Sequence, residues 1–449
     1  MNYSVKNPNY TAVVVSLEKI VPLENCDNVV SCIIFGNSVI VSKDVKVGAK
    51  GLFFPLETQL SHEFVSNNNL YRKAEYGNVD STKAGYFDQS RRIKCAKFRG
   101  NKSEGFFIPL TSLNYLKINL DDLQIGDVFD TIGKDEICRK YSIKAVNEPG
   151  AKRLRAKTKN IKDVIVDNQF ALHYDSEQLR RNLHRIKKDT TIAVSSKWHG
   201  TSAVFSNLLV KRELNIVEKI LSFLGVKIQT EEYGTMYSSR TVIKNVNGID
   251  KSGNKHFYTD DVWGRTAKDV IPSIPKSYSI YGEIVGYTES GEPIQAGVGG
   301  KAYHYGCFPG QQKFVVYRVT SRNVDGQQIE LSWPQMKDFC TKYGLEMVKE
   351  FFYGKAYDLN RAEWDCMDLS DDRDWQDALL SYLEKTWVHD QMCEYNNFEV
   401  PAEGIVVRVD SFTESEAFKL KNFLFLSGET KLLDAGVVDM ESSESEDSE

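Results

Sequence analysis

Residues 191–206, TIAVSSKWHGTSAVFS, contain the sequence pattern from which the architecture of the larger part of this chain is inferred. Two β-branched and apolar runs, TIAVSS and SAVFS, flank a short Lys-Trp-His-Gly connection, a pattern that predicts two strands joined by a tight turn. Lys197 therefore lies at a fixed position where a strand ends. Two interpretations are open: an exposed turn lysine beside a packed histidine, or a nucleophilic amine at the floor of a cleft.

Lys197 needs a special environment to act as a nucleophile. A lysine amine has an ordinary pKa of about 10.4 and is protonated at neutral pH. Burial or neighbouring cations lower that pKa and free the lone pair for attack. The residues that follow suit a ligand site, because His199 can donate to a phosphate or sugar oxygen and Gly200 lets a ligand approach the backbone closely.

From about residue 166 onward, strand-like and helical patterns are mixed. Strand-like runs are TTIAVSS, SAVFS, YSIYGEIVGY, KFVVYRVT, GIVVRVD and AFKLKNF, and helical stretches are LNIVEKILSFLG, SWPQMKDFCTKYG and DWQDALLSYLEKTWVHDQM. The glycine-rich stretch AGVGGKAYHYG at 296–306 lacks the spacing of a phosphate-binding loop and is interpreted as a loop near the cleft. The pattern predicts a mixed α/β domain over residues 166–430.

Residues 1–143 consist of short β-branched and aromatic runs separated by Gly, Asn, Asp and Pro. Their spacing predicts a small β-barrel of the OB type. The stretch RRIKCAKFRGNKSEG at 91–105 alternates cations with apolar residues, which on a strand would place many of the cations on one face. This face is either a surface that follows the phosphates of a nucleic acid or an ordinary charged outer strand. The candidate nucleic-acid-binding residues are Arg91, Arg92, Lys94, Lys97, Arg99 and Lys102.

Two further basic stretches precede Lys197. Residues 144–165 have no hydrophobic periodicity and contain Pro149-Gly150, so they are interpreted as a basic linker between domains. RRNLHRIKK at 180–188 adds more positive charge. Basic linkers are often only solvated, but three such stretches in succession favour a polyanionic partner.

The formal net charge of −5 conceals a separate acidic tail. Residues 431–449, KLLDAGVVDMESSESEDSE, hold seven acidic residues and one lysine, which leaves the rest of the chain close to neutral. Such a composition predicts a disordered, solvated tail.

The eight cysteines form no CxxC pair, which favours free thiols in a reducing, cytoplasmic compartment over a disulfide frame or a zinc site. No apolar stretch is long enough to span a bilayer, and no secretory leader is recognised, so no membrane partner is expected.

Several elements downstream of Lys197 carry residues suited to phosphate chemistry, in a fixed order. They are SSRT with Arg240, YGEIVGY with Glu283, FVVYRV with Tyr317, AEGIVVR with Glu403, and FKLKN with Lys419 and Lys421. Together with Lys197 this set resembles the motifs of the covalent nucleotidyltransferases, and Lys-x-His-Gly is similar to the form found in ATP-dependent RNA ligases. The resemblance covers about residues 166–430. Residues 1–143 look like the OB module that precedes the catalytic domain in one subgroup, which seals nicks with 3′-hydroxyl and 5′-phosphate ends.

The resemblance implies a fold and a chemistry. The fold would be an N-terminal OB-type β-barrel followed by an α+β nucleotidyltransferase domain of antiparallel sheets with helices. Lys197 would attack ATP to form lysyl-AMP, the AMP would pass to an RNA 5′-phosphate, and a 3′-hydroxyl would close the RNA, as in RNA repair. The expected partner is RNA with broken or nicked ends, and the protein is expected to act as a monomer.

The same resemblance implies roles for the remaining residues. Lys419 and Lys421, two apart on a strand, would share a face, bind the α-phosphate and lower the pKa of Lys197. Glu403 and Glu283 would orient hydrated Mg²⁺ or Mn²⁺, with ribose binding as the alternative for Glu283. The other expected ATP-contacting residues are Ser196, His199, Gly200, Arg240 and Tyr317, the last by stacking on adenine while Phe314 packs in the core.

Two positions depart from the family pattern. Ser196 stands where the family often has a glutamate that reads the adenine amino group, and Ser202 stands in place of an asparagine. The rival functions are a DNA ligase or capping-type nucleotidyltransferase, and a non-catalytic RNA-binding protein. Only 28 residues follow Lys421, too few for the C-terminal OB domain of the first rival. Retention of the lysines and of Glu403 together argues against the second.

Overall fold

A computed structural model describes residues 2–142, 164–173, 175–247, 249–250, 258, 260–411 and 415–437 of the chain. The chain divides into two compact units. The first comprises residues 1–143, 177–184 and 372–381, and the second comprises residues 144–176, 185–371 and 382–449. Of the basic linker at 144–165 only residues 164 and 165 are described, and of the acidic tail at 431–449 residues 438–449 lie outside the described residues. Residues 431–434, placed in the disordered tail from the sequence, belong instead to the last described helix, Phe423–Asp434. The boundaries proposed from the sequence stay a prediction, and they did not provide for two short segments that join the first unit.

The first unit is rich in short strands. The strands are β1 (Tyr3–Ser4), β2 (Ala12–Ser16), β3 (Ile20–Pro22), β4 (Val29–Ile34), β5 (Asn37–Ser42), β6 (Lys50–Phe54), β7 (Thr58–Leu60), β8 (Ala96–Phe98), β9 (Asn101–Ser103), β10 (Phe106–Pro109), β11 (Val128–Phe129), β12 (Thr131–Ile132), β13 (Asp135–Glu136), β14 (Cys138–Lys140) and β15 (Glu177–Gln178). Its two short helices are α1 (His62–Asn67) and α2 (Leu179–Asn182).

These strands form several small antiparallel sheets. The largest has the order β10-β6-β2-β11, and β3-β4-β5 and β1-β12-β13 form three-stranded sheets. Strand β2 packs two cores at once: Ala12 and Val14 face one apolar cluster and Val13 and Val15 face another, as the alternation of a strand requires. The strand pairings of the described residues do not close into a barrel, so the OB assignment goes no further than a β-rich unit.

The basic stretch at 91–105 does not form the single cationic strand expected from its alternation. Only β8 and β9 are strands, joined by a turn in which Arg99 (φ 47°) and Gly100 (φ 87°) have left-handed backbone conformations. Lys97 and Lys102 lie directly opposite each other in this hairpin. The expectation of one continuous strand was wrong, because the turn interrupts it in the middle.

Arg92 corrects the expected nucleic-acid surface most clearly. Its side chain is only 1% exposed and donates to Glu57 at 3.1 Å, and its guanidinium lies 5.0 Å from the ring centroid of Tyr141. A buried guanidinium needs such an internal partner, so Arg92 belongs to the interior of the unit. Lys94 is likewise engaged, at 2.7 Å from Asp88, and Arg91 is half-buried.

The segment 177–184 is bound into the first unit by two arginines. Arg180 donates to the carbonyl oxygen of Gly36 at 2.7 Å, and Arg181 donates to that of Pro8 at 2.8 Å. These two cations of the basic stretch at 180–188 are therefore structural contacts. The segment 372–381 adds Leu380, whose side chain lies where a Cβ at Gly36 would stand.

The second unit contains longer strands. The strands are β16 (Thr191–Lys197), β17 (Thr201–Lys211), β18 (Glu231–Ser238), β19 (Ile243–Val246), β20 (Ile249–Asp250), β21 (Tyr278–Gly286), β22 (Gln312–Arg322), β23 (Gln328–Glu330), β24 (Glu346–Met347), β25 (Glu350–Lys355), β26 (Gly404–Val409) and β27 (Glu416–Lys421). The remaining α-helices of the described residues are α3 (Ile216–Phe223), α4 (Val262–Val270), α5 (Trp333–Tyr343), α6 (Arg361–Trp364), α7 (Asp372–Leu383) and α8 (Phe423–Asp434), and all but the last two residues of α7 belong to the first unit.

Two antiparallel sheets organise this unit. One has the order β20-β19-β18-β17-β21-β22-β23, with β24 beside β22 in parallel, and the other contains the run β27-β26-β16-β25. One apolar core draws on both sheets and on three helices, with Ala193, Trp198, Phe205, Trp263, Val316, Phe339 and Phe425 among its members. The mixed α/β class with antiparallel sheets is thus confirmed, and β16 and β17 are the two strands expected on either side of the Lys-Trp-His-Gly connection.

All eight cysteines lie among the described residues and are free thiols. Within those residues, no helix combines the length and apolar character needed to cross a bilayer.

Candidate active site

Three adjacent strands place two lysines in one row. Lys197 on β16 pairs with Gly404 on β26, and Gly404 pairs with Lys421 on β27. Residues directly opposite one another in a sheet point to the same face. The side chains of Lys197 and Lys421 therefore stand on one face of the sheet, with a residue that has no side chain between them.

Two glycines are required by the crowding around this row. A Cβ at Gly404 would stand 2.1 Å from the carbonyl oxygen of Leu420, and its φ of 143° is unusual for other residues. A Cβ at Gly200 would stand 2.5 Å from the carbonyl oxygen of Ile284. Gly200 thus lets the turn after Lys197 approach β21 closely, next to Glu283.

Glu403 connects the two lysines. Its Oε1 lies 2.8 Å from the Lys197 amine and 3.2 Å from the Lys421 amine, and its side chain is only 3% exposed. Burial would raise the pKa of Glu403, but the positive charges of Lys197 and Lys421 outweigh it and hold the pKa below its ordinary value. The carboxylate is therefore ionised at neutral pH and forms a buried ion pair with each lysine.

Lys419 lies two rows from Lys421 and therefore on the same face of the sheet. It pairs with Val406, which pairs with Ser195, and its side chain is buried. The two-residue spacing puts Lys419 and Lys421 on one face, as their sequence order implied.

An aromatic cluster supports the turn that follows Lys197. The indole of Trp198 stacks on Tyr305 with ring centroids 4.3 Å apart, and the His199 N–H donates to the Tyr305 hydroxyl at 2.7 Å. The His199 ring meets Tyr303 and Phe425 edge-to-face, each at 4.9 Å. Tyr303 also donates to the carbonyl oxygen of Pro401 at 3.0 Å. The loop that contains both tyrosines therefore binds the Lys197 turn and the segment before Glu403.

Ser196 has protein partners of its own. Its hydroxyl accepts from the Trp198 indole at 2.8 Å and from the Lys349 backbone N–H at 3.1 Å. In the sheet it pairs with Ile405, in the row next to that of Lys197 and therefore on the opposite face. The structure thus gives Ser196 a role in fixing the indole and the neighbouring strand.

Glu283, Tyr317 and Arg240 come from three different strands or strand ends. Glu283 on β21 pairs with Ser202. Burial, and after it the negative charge of Glu283, raises the pKa of Tyr317. The Tyr317 hydroxyl lies 3.0 Å from His173 Nδ1 and 3.4 Å from the Ser202 hydroxyl. Phe314 instead packs edge-to-face on Phe205 in the core.

Arg240 forms an ion pair with Asp175, which also lies 3.8 Å from His173 Nε2. The sequence patterns did not single out His173 or Asp175 as site residues, because the histidines showed no metal-binding spacing and neither position belongs to a recognised motif.

The donor set suits a partly hydrated divalent metal ion. The second carboxylate oxygen of Glu403, Oε2, is buried and accepts no hydrogen bond from the described residues. Those residues contain no group of three His, Cys, Asp or Glu side chains arranged to enclose a metal. Mg²⁺ is commonly held by one or two carboxylates, with water and substrate phosphates completing its shell, and the Glu403 carboxylate fits that chemistry.

Helix α8 contributes two residues that the sequence patterns did not single out. The Glu429 carboxylate lies 3.3 Å from the Lys421 amine, and the Phe425 ring centroid lies 5.0 Å from the same atom. The available signal was Asn422 followed by an apolar, helix-like run, FLFLSGETKLL, which is a helix start.

The overall fold matches solved structures of an RNA ligase from Naegleria gruberi. A lysine-to-alanine variant with ATP and Mn is 14% identical with a TM-score of 0.55, and the match covers 95% of this chain and 99% of that one. A lysine-to-methionine variant with AMP and Mn is 15% identical with a TM-score of 0.54, over 92% and 97% of the two chains. The same enzyme with pyrophosphate is 14% identical with a TM-score of 0.52, over 95% and 98%. At these identities the likeness defines the fold.

The RNA ligase family model matches residues 190–421, more than half of the chain. The chain belongs to the RNA ligase family and is a ligase enzyme. The matched range begins just before β16 and ends at Lys421, so it spans all the motif residues named above. No curated protein matches the sequence.

Proposed function

We propose that this protein is an ATP-dependent RNA ligase that joins 3′-hydroxyl and 5′-phosphate ends at nicks through lysyl-AMP and RNA-adenylate intermediates. The observation that carries the proposal is the contact of Lys197 with a buried, ionised Glu403 that also holds Lys421. An ordinary surface lysine would neither contact a buried carboxylate nor share that carboxylate with a second lysine in the same row. Family membership and a fold shared with ATP-bound and AMP-bound ligase structures support the same reaction.

The proposed reaction has three displacements at phosphorus. The neutral Lys197 amine attacks the α-phosphorus of ATP, the bond to the β-phosphate oxygen breaks, and pyrophosphate leaves. An oxygen of the RNA 5′-phosphate then displaces Lys197 from AMP, and the lysine regains a proton. Finally the RNA 3′-hydroxyl attacks the 5′-phosphate, loses its proton and expels AMP. Such steps depend on positioned positive charge more than on proton shuttles.

Lys197 must lose a proton before the first step. Its contact with ionised Glu403 favours the ammonium form, whereas the nearby Lys421 charge favours the neutral amine. Nucleotide binding therefore has to accompany a change in the partners of Glu403. Lys419 and Lys421 are the cations that this sheet face offers to the α-phosphate.

Glu403, with Glu283 as a second carboxylate, is proposed to hold Mg²⁺ or Mn²⁺ through water, and a metal ion bound there would neutralise negative charge on the phosphates. The chain's own contribution is to keep the Glu403 carboxylate buried and ionised. Arg240, Tyr317, His199, Gly200 and Ser196 remain proposed nucleotide contacts. For Ser196 the contact would be through the backbone, because its hydroxyl is engaged with Trp198 and Lys349.

The first unit is proposed to be an OB-type module that binds the RNA substrate, with the β8–β9 hairpin as its contact surface. Lys97, Arg99 and Lys102 are the cations of that hairpin, and Lys97 and Lys102 lie directly opposite each other, which concentrates positive charge there. We further propose that the protein acts as a monomer in RNA repair in the cytoplasm.

The test is covalent labelling with α-labelled ATP and a divalent metal, followed by denaturation. Wild-type protein should carry an acid-labile AMP adduct, and Lys197→Ala should carry none, because a methyl group cannot replace the attacking amine. Label retained by Lys197→Ala contradicts the proposed nucleophile. GTP in a parallel reaction measures the nucleotide preference that Ser196 leaves open. A chase with nicked and single-stranded RNA identifies the substrate.

A further inference from the structure

Helix α8 is fixed to the segment that carries Glu403. Its N-cap, Asn422, follows Lys421 directly and accepts from the Leu424 N–H at 3.0 Å. The Asn422 side chain also donates to the carbonyl oxygens of Gln391 at 2.8 Å and Ala402 at 3.1 Å, and its own N–H donates to that of Glu403 at 2.9 Å. The first turn of α8 is therefore held at a defined position beside the ion pairs of the site.

Phe425 and Glu429 lie one turn apart on α8, so they share a face of the helix. That face covers the amine of Lys421: the Phe425 ring centroid lies 5.0 Å from Nζ, and both carboxylate oxygens of Glu429 lie 3.3 Å from it. Phe425 also meets the His199 ring at 4.9 Å. The helix thus presents an aromatic ring and a carboxylate to one catalytic lysine.

The charges in this part of the site form a chain of four groups. Lys197 and Lys421 share Oε1 of Glu403, and Lys421 also contacts Glu429. The side chains of Lys197, Lys421 and Glu429 are 20%, 21% and 23% exposed, so water screens them only partly. The contact with Glu429 gives Lys421 a second carboxylate partner besides the Glu403 oxygen that it shares with Lys197.

We propose that Glu429 is a positioning residue for the first chemical step. It holds the Lys421 ammonium over the face of the sheet where the α-phosphate is to bind, and it acts through Lys421 without touching the nucleotide. This inference rests on the proposed function, because the role of Lys421 toward phosphate belongs to it. An ordinary surface ion pair is the simpler account of the same contact, and its contribution would be small.

The experiment compares single-turnover formation of lysyl-AMP by the full-length wild type, Glu429→Gln and Glu429→Asp. Glutamine preserves the shape of the side chain and removes its charge, whereas aspartate preserves the charge and shortens the side chain. A charge-positioning role predicts a loss of about tenfold in the rate constant divided by KM for Glu429→Gln, the order expected for one charge-assisted hydrogen bond, and a smaller loss for Glu429→Asp. The reverse order of the two variants indicates packing and overturns the proposal.

A double-mutant cycle with Lys421→Ala identifies the route of the effect. If Glu429 acts through Lys421, Glu429→Gln changes the rate less than about twofold in the Lys421→Ala background. An equal tenfold loss in both backgrounds means that Glu429 does not act through Lys421. If Lys421→Ala labels too slowly to measure, the order of the Gln and Asp variants decides alone.

The matched control is Asp434→Asn, which removes the same charge from an exposed position at the end of α8 and is expected to label at the wild-type rate. A wild type that forms no AMP adduct overturns the proposed function. A wild type that forms the adduct while Glu429→Gln labels equally fast overturns only the role of Glu429.

Discussion

Between the side chains of Lys197 and Lys421, the middle strand carries only a hydrogen atom, because position 404 is glycine. The Lys197 position, the EG pair at 403–404 and the KxK pattern at 419–421 are visible in the sequence, since each is a short motif in a strand-like run. What the motifs do not convey is that Gly404 lies in the same row as both lysines. Strand register depends on pairings between residues that are distant in sequence, so it had to come from the structure.

The Gly404→Ala variant tests the need for that gap. An added Cβ would stand 2.1 Å from a backbone oxygen of β27, so β26 and β27 must separate or the backbone must shift. We expect a loss of at least about 2 kcal/mol in the free energy of unfolding, together with a loss of AMP labelling. Denaturant unfolding and the labelling assay measure the two effects.

Gly299→Ala is the control for that substitution. Gly299 has a φ of 74° and no atom within 4 Å of an added Cβ, so this variant carries the conformational cost without the clash. Equal destabilisation of the two variants would show that crowding at Gly404 is unimportant.

Residues outside the motifs could not be assigned from the sequence. In the sequence Glu429 is one acidic residue ahead of an acidic tail, and its contact with Lys421 depends on where α8 lies relative to the end of β27. Arg92 reads as one cation among six, yet it is buried against Glu57. In both cases the sequence pattern around the charged residue is the same whether its side chain faces solvent or a partner that is distant in the chain.

Among the elements of the second unit, several of the longer strands and helices follow from periodicity, whereas β18, α4 and α8 were not predicted. Helix α5 shows why: Ser332 and Gln335 form a capping box at its start, and Gly344 ends it with a left-handed φ of 67°. The β8–β9 hairpin was not predicted although Gly100 is a turn signal, because the stretch was interpreted by its charges; Arg99 and Gly100 have left-handed conformations at the turn.

A charge reversal in the β8–β9 hairpin should change the stability of the hairpin and its RNA binding in opposite directions. Lys97→Glu places an acid directly opposite Lys102, so we expect this pairing to stabilise the hairpin by about 0.2–1 kcal/mol. The same change should weaken RNA binding and reduce its dependence on salt, because a phosphate contact is replaced by repulsion. Titration of labelled nicked RNA at several salt concentrations measures the binding.

The control is Lys83→Glu, which reverses an exposed cation of the same unit paired with Asp80. RNA affinity that falls equally in both variants would indicate a general charge effect and not a contact surface at the hairpin. AMP labelling should be unchanged in both, since neither residue belongs to the proposed catalytic set.

At the scale of the whole molecule, the environment of each thiol predicts its reactivity. Cys366 is the exposed thiol among the eight, and Cys26 and Cys307 are half-buried. Burial raises the pKa of Cys32 to about 11 and that of Cys340 to about 12, so at pH 8 very little of either is thiolate. Cysteine reactivity requires both access and the thiolate form.

We therefore expect a chromogenic disulfide reagent at pH 8 to modify Cys366 first, with Cys26 and Cys307 slower. The five buried thiols should react only after denaturation. The chromophore released before and after addition of denaturant gives the number of accessible thiols and the number of buried thiols. Cys366→Ser should remove the fast phase. More than three rapidly modified thiols in the native protein would contradict the burial of the other five.

The composition of the first unit has a consequence for how the protein is made. That unit includes residues 177–184 and 372–381, and Arg180 and Arg181 supply hydrogen bonds to Gly36 and Pro8 within it. Domains usually fold in order as they emerge from the ribosome. Here the first unit cannot be completed until its last segment, residues 372–381, is translated, and by then more than four fifths of the polypeptide has been made.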